Sequence, residues 1–181
     1  MLLHQEKVKH NQAEFIANLS AISKKLSIDP NWLMAAIDLE SAGTFSASIE
    51  NTKSPFKDGF ATGLIQFTPA TARSLGTTTQ DLKNMSNVQQ LQYVYKYLKP
   101  YASKIKSFVD LYLTIFFPVA VGKPSNFIIA YKDLHADTIA RANPLFDVNK
   151  DGKITVAEIQ NVLLERVPKD LWASFKKKDS L

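Results

Sequence analysis

Residues 31–43 read NWLMAAIDLESAG, and this stretch decides the fold of the chain. Asp29 is a preferred helix N-cap residue, and Pro30 suits the first helical position, where its missing N–H is not needed. Gly43 suits the left-handed conformation that commonly follows a helix. The stretch is therefore predicted to belong to a helix that begins at Pro30 and ends just before Gly43.

One face of this helix carries apolar residues together with a glutamate. Leu33, Ala36, Ile37 and Glu40 are spaced i, i+3, i+4 and i+7, so they share a face that extends towards the core. Asp38 projects about 160° away from Glu40 and faces a different environment. Partial burial raises the pKa of a carboxyl, which suits a general acid near neutral pH. Glu40 is thus the candidate catalytic residue; a solvated surface glutamate is the alternative.

Composition and charge limit the class of protein. The 181 residues, 45% of them hydrophobic, suit one domain of ordinary size with a small appendage. The net charge of +5 favours an anionic partner such as nucleic acid, a membrane or an acidic cell-wall polymer. Nucleic-acid binding is not predicted, because the basic residues are not gathered with aromatic residues. We expect a monomer, and we interpret Lys176, Lys177 and Lys178 as a solvated tail.

Targeting signals and cysteines narrow the setting further. The chain has no cysteine, which excludes disulfides and thiolate metal sites. The N-terminal residues MLLHQEKVKH lack the apolar run of a signal peptide, so we expect export by another route. Residues 111–121 are about half of the roughly 20 residues that a spanning helix needs, and they contain Pro118. No transmembrane segment is expected.

Apolar periodicity and capping residues predict a mostly α protein with at most a small β element. Residues 44–63 are rich in Ser, Thr, Asn, Gly and Pro without periodicity, which indicates a long functional loop. A helix over residues 87–98 is predicted to bury a face of Val88, Leu91, Tyr95 and Leu98. Further helices are predicted at residues 12–26, 69–75 and 107–117, and a helical pattern runs through Phe127, Ile128, Tyr131 and Leu134.

A twelve-residue window near the end of the chain has the spacing of a calcium-binding loop. Gly152 at position 6 permits the sharp turn, and helices are predicted on both sides at residues 137–146 and 156–166. The window resembles the EF-hand family, and the resemblance implies a structural Ca²⁺; a metal-free turn is the alternative. The ligands at positions 1, 3, 5, 7, 9 and 12 would be Asp147, Asn149, Asp151, the Lys153 carbonyl, Thr155 and Glu158.

The segments around Glu40 and Gln66 together resemble the lysozyme-like lytic transglycosylase family. The shared pattern is Glu40-Ser41 with Phe45, then ATGLIQF at residues 61–67, then PATA at 69–72 and Leu75-Gly76. The resemblance spans about residues 31–118. It implies a lysozyme-like fold and cleavage of the β-1,4 bond between N-acetylmuramic acid and N-acetylglucosamine in bacterial peptidoglycan.

The resemblance also implies roles for individual residues. Glu40 would protonate the glycosidic oxygen and then act as base on the 6-hydroxyl, which releases a 1,6-anhydro product; the substrate's acetamido group replaces a protein nucleophile. Gln66 and the backbone at Gly63 would line the groove, and Ser41 would support Glu40 or bind an acetamide. Alternatively, Gly63 only makes a tight turn and Ser41 only caps the helix end.

One segment departs from the family pattern. The family carries Ala-Tyr-Asn-Ala-Gly in a later helix, with the tyrosine near the glutamate, whereas residues 110–118 read DLYLTIFFP. Tyr112 is either the counterpart that contacts substrate or a core aromatic. This version is more similar to phage endolysins and virion-associated lysins. A water held by Asp58, Glu50 or another loop carboxylate would instead make the enzyme a goose-type lysozyme that hydrolyses the bond.

The sequence thus predicts two domains: residues 1–135 form the transglycosylase domain, and residues 136–181 form the EF-hand-like unit with the basic tail. The predicted partner is the glycan strands of the bacterial cell wall. The predicted setting is the wall or periplasm, as an endolysin, a virion protein or a secretion-system effector. A non-catalytic wall-binding or virion assembly domain is the further alternative.

Overall fold

The computed structural model describes residues 1–132 and 134–177 and divides into two compact units, Met1–Ala102 and Ser103–Leu181. The described residues form α-helices, short 3-10 turns and isolated β-bridges. The predicted mostly α class is therefore confirmed. The predicted boundary between residues 135 and 136 does not coincide with the division into units and stays a prediction. Lys178 lies outside the described residues.

The first unit contains five α-helices on either side of a long loop. Helix α1 packs against both α2 and α5. The predicted start of α2 is confirmed, because the Asp29 carboxylate accepts a hydrogen bond from the Asn31 N–H at 2.8 Å. The helices are α1 Gln12–Leu26, α2 Pro30–Glu40, α3 Pro69–Ser74, α4 Thr79–Asn84 and α5 Asn87–Leu98.

Helix α2 is buried along its middle and changes character at its end. Five consecutive residues from Leu33 to Ile37 are buried, so the helix is enclosed on all sides there. Asp38 lies apart from Glu40 and pairs with the Lys7 ammonium at 2.8 Å. Glu40 is the last helical residue and is half-buried. The helix thus begins its buried stretch in the core and ends with the Glu40 carboxyl group in a partly exposed position.

The loop that follows α2 is held by backbone hydrogen bonds. The Asn51 N–H donates to the Ala61 carbonyl at 2.9 Å, and the Gly63 N–H donates to the Ile49 carbonyl at 2.8 Å. Glu50 and Thr62 face each other in an antiparallel bridge. Residues 51–58, at the far end of this pairing, are all exposed. The predicted long loop therefore has a rigid base and an open tip.

The buried face of α5 differs from the predicted one. Tyr95 is only half-buried, whereas Gln90 is fully buried. Gln90 can be buried because its amide is fully bonded: Nε2 donates to the Ala47 and Leu82 carbonyls, and Oε1 accepts from the Leu64 N–H. The observed buried residues of the helix are Asn87, Gln90, Leu91, Val94 and Leu98.

The second unit contains the apolar helix α6 and the helices on either side of the predicted calcium loop. Seven consecutive residues of α6, Phe108 to Thr114, are buried, as predicted. Helices α6 and α8 pack against each other. Among the described residues, no helix is long and apolar enough to cross a membrane. The helices of this unit are α6 Phe108–Phe116, α7 Ala136–Ala142, α8 Val156–Leu164 and α9 Trp172–Phe175.

The predicted helical pattern over residues 127–134 is wrong. The Ile129 N–H donates to the Ile154 carbonyl at 2.8 Å, and the Val156 N–H donates to the Phe127 carbonyl at 3.1 Å. This extended pairing uses backbone groups that a helix would need for itself. Ile128, like Tyr131 and Leu134, is exposed.

The C-terminal basic segment is not solvated throughout. The Lys177 ammonium donates to the Asp110 carboxylate at 2.7 Å, and their side chains are 13% and 1% exposed. Phe175 is buried with its ring 5.0 Å from that of Phe108. Because a lysine stem is apolar, it can cross the surface of a core while its ammonium reaches a carboxylate. The predicted solvated tail is therefore wrong at Lys177.

Candidate active site

A cavity of about 410 Å³ opens at the C-terminal end of α2. Glu40, Gln66 and the loop residues 49–53 line it. Gln66 has a φ of +53°, which is uncommon for a residue with a side chain and marks a constrained backbone. Its Nε2 donates to the Gly63 carbonyl at 3.1 Å, so the side chain is fixed against the loop. Two of the predicted site residues, Glu40 and Gln66, therefore share one cavity.

Ser41 is fully buried directly behind Glu40. Its Oγ accepts a hydrogen bond from the Phe45 N–H at 3.0 Å, and its carbonyl accepts one from the Thr44 hydroxyl at 2.7 Å. These bonds fix the turn that leads away from the helix. The geometry favours the capping role of Ser41, and its contact with substrate stays a prediction.

Gly63 has a backbone conformation and surroundings that favour glycine. Its φ is +85°, and a Cβ atom there would lie 2.2 Å from Oε1 of Gln90. Its N–H is already bonded to the Ile49 carbonyl. The structure thus supports the tight-turn role of Gly63, while the predicted lining of the groove by its backbone stays a prediction.

Tyr112 lies in α6 of the second unit and is 8% exposed. Its ring stacks on Phe116 at 5.9 Å and meets Phe146 edge-on at 5.9 Å. Phe146 directly precedes Asp147, the first residue of the predicted calcium loop. Tyr112 is thus part of an aromatic cluster, and its predicted role in substrate binding stays a prediction.

Tyr97, on α5, is electrostatically coupled to Glu40, and the sequence did not point to it. Burial, together with the negative charges of Tyr101 and Glu40, raises the pKa of Tyr97 to about 12. The influence of Glu40 on this pKa brings the two groups into one electrostatic environment. Tyr97 lies seven residues after Gln90 and three after Val94, so the three share one face of α5. Knowing that Gln90 is buried would therefore have placed Tyr97 on the inner face of the helix.

Two acidic residues of the loop differ in their surroundings. Glu50 lines the cavity with Glu40, and its Oε2 accepts a hydrogen bond from the Lys83 ammonium at 2.7 Å. Asp58 lies on the exposed tip and pairs with Arg73; their side chains are 47% and 60% exposed. Of the two loop carboxylates considered from the sequence, Glu50 is therefore the one in the cavity.

The predicted calcium loop is folded as a series of tight turns. Asp147 accepts hydrogen bonds from the Asp151 and Gly152 N–H groups at 3.1 and 3.2 Å, and Gly152 has a φ of +79°. The Glu158 Oε2 accepts from the Thr155 N–H and hydroxyl at 2.9 and 2.8 Å. This bonding holds Glu158 in a capping box at the start of α8.

The oxygen donors of this loop fit calcium chemically but are not gathered around one point. Among the described residues, no group of three or more His, Cys, Asp or Glu side chains is placed to hold a metal. However, the Glu158 Oε1 is buried without a hydrogen-bond partner in the described part of the chain. A bidentate glutamate ligand would satisfy that oxygen. The calcium site therefore stays a prediction.

The structure has a half-buried glutamate at the end of a helix, in the lining of a cavity, within a mostly α scaffold. This arrangement is typical of lysozyme-like enzymes. Residues 18–120, more than half of the chain, match the family model of the transglycosylase SLT domain, and the chain belongs to this family. The family consists of lytic transglycosylases acting on peptidoglycan, so the chain is an enzyme of this kind. Comparisons with curated proteins and with solved structures found no match.

The family match settles part of what the sequence predicted. It confirms the lytic transglycosylase family, peptidoglycan as the substrate and action at the cell wall. The similarity of residues 110–118 to phage lysins, the EF-hand assignment, the export route and the monomeric state stay predictions.

Proposed function

We propose that this lytic transglycosylase cleaves the β-1,4 bond between N-acetylmuramic acid and N-acetylglucosamine, with Glu40 as its only acid and base. The observation that carries the proposal is that the half-buried Glu40 lines the same cavity as the constrained Gln66. Partial burial favours the neutral carboxyl that a general acid requires. Gln66 binds the glycan from the cavity wall.

The proposed reaction has two steps. First, the Glu40 carboxyl gives its proton to the glycosidic oxygen, the C1–O bond breaks with its electrons on the leaving sugar, and the acetamido oxygen bonds to C1. Second, the C6 hydroxyl attacks C1, the acetamido oxygen departs, and the Glu40 carboxylate takes the hydroxyl proton. No water is consumed, and the product is a 1,6-anhydro sugar.

Tyr97 suits the second half of this cycle. Because its pKa is about 12, its hydroxyl stays protonated at neutral pH and is available as a hydrogen-bond donor. A donor near Glu40 favours the carboxylate that forms when the proton has been transferred. We assign Tyr97 as a positioning residue for Glu40.

The remaining predicted site residues are proposed to act in different ways, two through the backbone and one by contact with substrate. Ser41 acts through the turn that it fixes behind Glu40, and Gly63 acts by allowing Gln90 to approach the loop. Tyr112 is proposed to bind substrate from the aromatic cluster in which it lies. Replacing Tyr112 by Phe tests this role through the KM for the glycan, which rises if the hydroxyl contacts substrate.

We also propose that the loop from Asp147 to Glu158 binds a structural Ca²⁺. The support is the EF-hand spacing, the left-handed Gly152 and the unpartnered buried oxygen of Glu158. The Ile129–Ile154 backbone pairing supplies the β contact that EF-hand loops usually obtain from a second loop. The other ligands are Asp147, Asn149, Asp151, the Lys153 carbonyl and Thr155.

Digestion of purified peptidoglycan followed by mass spectrometry tests the reaction. Wild-type enzyme is expected to release anhydro-muropeptides, and Glu40→Gln to lower the rate about 10²- to 10⁴-fold, since it removes the proton but little volume. Glu14→Gln, at an exposed residue of α1, is the matched control and retains full rate. Products with reducing ends only would identify the goose-type lysozyme, and an inactive wild type would identify the non-catalytic binding domain.

We propose an endolysin or virion lysin as the biological setting, because residues 110–118 are more similar to those proteins. Addition of purified protein to intact and to outer-membrane-permeabilised cells tests where it reaches the wall. Lysis only from the cytoplasmic side, with a pore-forming protein co-expressed, fits an endolysin. Lysis without that protein requires an export route of the chain's own, as for a secretion-system effector.

A further inference from the structure

The cavity beside α2 contains a second acidic side chain besides that of Glu40. Glu50 and Glu40 both line the cavity of about 410 Å³. The family mechanism, as the resemblance implies it, uses one glutamate and leaves Glu50 without a role. Asp58, the neighbouring loop acid, is exposed and pairs with Arg73 on the surface.

Glu50 is fixed in the cavity wall from two sides. Its backbone forms the bridge with Thr62, and the flanking Ile49 and Asn51 are hydrogen-bonded to the opposite chain segment at 2.8 and 2.9 Å. Its side chain, 25% exposed, accepts a hydrogen bond from the Lys83 ammonium of α4 at 2.7 Å. The negative group is therefore held before any substrate arrives, which is the condition for electrostatic preorganisation.

The reaction creates a charge that this group can stabilise. As the glycosidic bond breaks, positive charge develops on C1 and the ring oxygen of the sugar. Glu40 is neutral when this begins, because it still carries the proton that it donates. The other charged group in the cavity wall is Lys53, whose charge opposes the developing cation. Glu50 has the opposite sign to Lys53 and is the fixed negative group in this wall.

We propose that Glu50 is a second carboxylate of the reaction, which stabilises the sugar cation electrostatically and forms no bond to it. Lys83 is the positioning residue that holds Glu50 in place. This inference rests on the proposed role of Glu40, since Glu50 is needed only if Glu40 breaks the bond as a neutral acid. The bound substrate carries no positive charge on C1, which develops only as the glycosidic bond breaks and stays in the intermediate that follows, so Glu50 affects kcat and leaves KM nearly unchanged.

Steady-state kinetics on a soluble glycan oligomer prepared from peptidoglycan tests the proposal. Glu50→Gln is expected to lower kcat about 10- to 100-fold with KM unchanged within about threefold. Asp58→Asn is the matched control, because it removes a paired loop carboxylate outside the cavity, and it is expected to keep the wild-type kcat. Equal kcat values for Glu50→Gln and Asp58→Asn would overturn the proposal.

Chemical rescue separates an electrostatic role from a structural one. Glu50→Ala opens space beside the cavity, and added formate is expected to restore kcat at least severalfold by supplying a negative group. Asp58→Ala is expected to show no response to formate. A loss of activity in Glu50→Ala that formate does not relieve, accompanied by a lower thermal midpoint, would show that the ion pair is merely structural and would overturn the proposal.

The double variant tests whether Lys83 acts through Glu50. Lys83→Met is expected to lower kcat less than Glu50→Gln, and the two changes together are expected to lower it no more than Glu50→Gln alone. Additive losses would overturn the positioning role of Lys83. The products also test Glu50. If the wild type forms reducing ends and Glu50→Gln forms anhydro sugars, Glu50 activates a water molecule, and the electrostatic role is overturned.

The outcome at Glu40 keeps the two proposals distinguishable. If Glu40→Gln retains the wild-type rate, the proposed function itself fails. If Glu40→Gln is inactive and Glu50→Gln behaves like Asp58→Asn, the function stands and only the inference about Glu50 is lost.

Discussion

Gln90 in the first unit and Asp110 in the second are both fully buried polar residues, and each joins segments that are distant in sequence. Gln90 is bonded to backbone groups alone, at Ala47, Leu64 and Leu82. Asp110 accepts from the Lys106 and Gly122 N–H groups, the Ser107 hydroxyl and the Lys177 ammonium. One residue is a neutral amide and the other carries a charge that needs a cation.

This difference determines how much stability each unit loses when a contact of its buried polar residue is removed. The base of the loop beside the Glu40 cavity is fastened by the neutral Gln90 amide, and this fastening needs no charged partner. The ion pairs that the loop also makes, through Glu50 and Asp58, are partly exposed. The second unit depends on an ion pair between residues far apart in sequence. Removing one partner of a buried pair leaves an uncompensated charge, which is more costly than the pair's own net contribution.

Lys177→Met should have the largest effect on stability. It leaves the Asp110 charge buried with three remaining donors, so we expect a loss of about 3 to 5 kcal/mol in the free energy of unfolding. Urea denaturation followed by circular dichroism measures it. Lys176→Met, at an exposed neighbour, is the control and should stay within about 0.5 kcal/mol of wild type. Equal stabilities of the two variants would show that the second unit does not depend on the Asp110–Lys177 ion pair.

Gly63→Ala tests the first unit's buried amide. The new alanine must adopt a positive φ, and its Cβ meets the Gln90 amide. We therefore expect a loss of about 2 to 4 kcal/mol in the free energy of unfolding. Gly76→Ala separates the two causes, because Gly76 has a φ of +77° and no atom within 4 Å of its Cβ position. Thermal unfolding of both variants should give the smaller loss for Gly76→Ala; equal losses would mean that Gln90 yields without cost.

The proposed Ca²⁺ would add a second charge-dependent element to the second unit. At a concentration of 100 times its dissociation constant, a bound ion should stabilise the folded chain by about 2.7 kcal/mol. Thermal unfolding in calcium and in chelator measures the shift, and Glu158→Gln should abolish it. Glu165→Gln, at an exposed residue just beyond α8, should keep it. A thermal midpoint indifferent to calcium in the wild type would sink the proposed site.

The pH dependence at Tyr97 concerns the first unit alone, and at neutral pH it is the smallest effect because it begins only near pH 10. Tyr97 ionises near pH 10 when unfolded and near 12 when folded, so unfolding becomes easier as the pH rises through this window. Stability below pH 10 is unaffected. Tyr97→Phe should remove a slope of less than about 1.4 kcal/mol per pH unit, with Tyr93→Phe as the matched control. Parallel stability curves for both variants would contradict the assignment.

The sequence predicted well wherever one local rule acted alone. The Asp29 cap and Pro30 located the start of α2, and the apolar run located α6. Glu40 and Gln66 line one cavity, but their shared groove was implied by the family resemblance and not by a local rule, and their roles stay predictions.

The sequence failed where a polar group is buried by distant partners. Apolar periodicity cannot assign Gln90 to a core face, because its burial depends on the carbonyls of residues 47 and 82. Tyr97 was missed for the same reason, since it shares that face. Lys177 looked like part of a solvated run because its partner, Asp110, is 67 residues away. The helical pattern near Ile128 was wrong because this segment forms a backbone bridge with Thr155 instead.

The exposed tip of the long loop has a practical consequence. Residues 51–58 contain Lys53 and Lys57, two trypsin cleavage sites, in a stretch where every residue is accessible. The chain on both sides is tied together by the hydrogen bonds of residues 49–51 with 61–63. A cut after Lys57, which lies outside the cavity lining, would therefore divide the polypeptide while leaving the wall of the cavity joined. The same part of the tip is a suitable place for a fluorescent reporter of glycan binding.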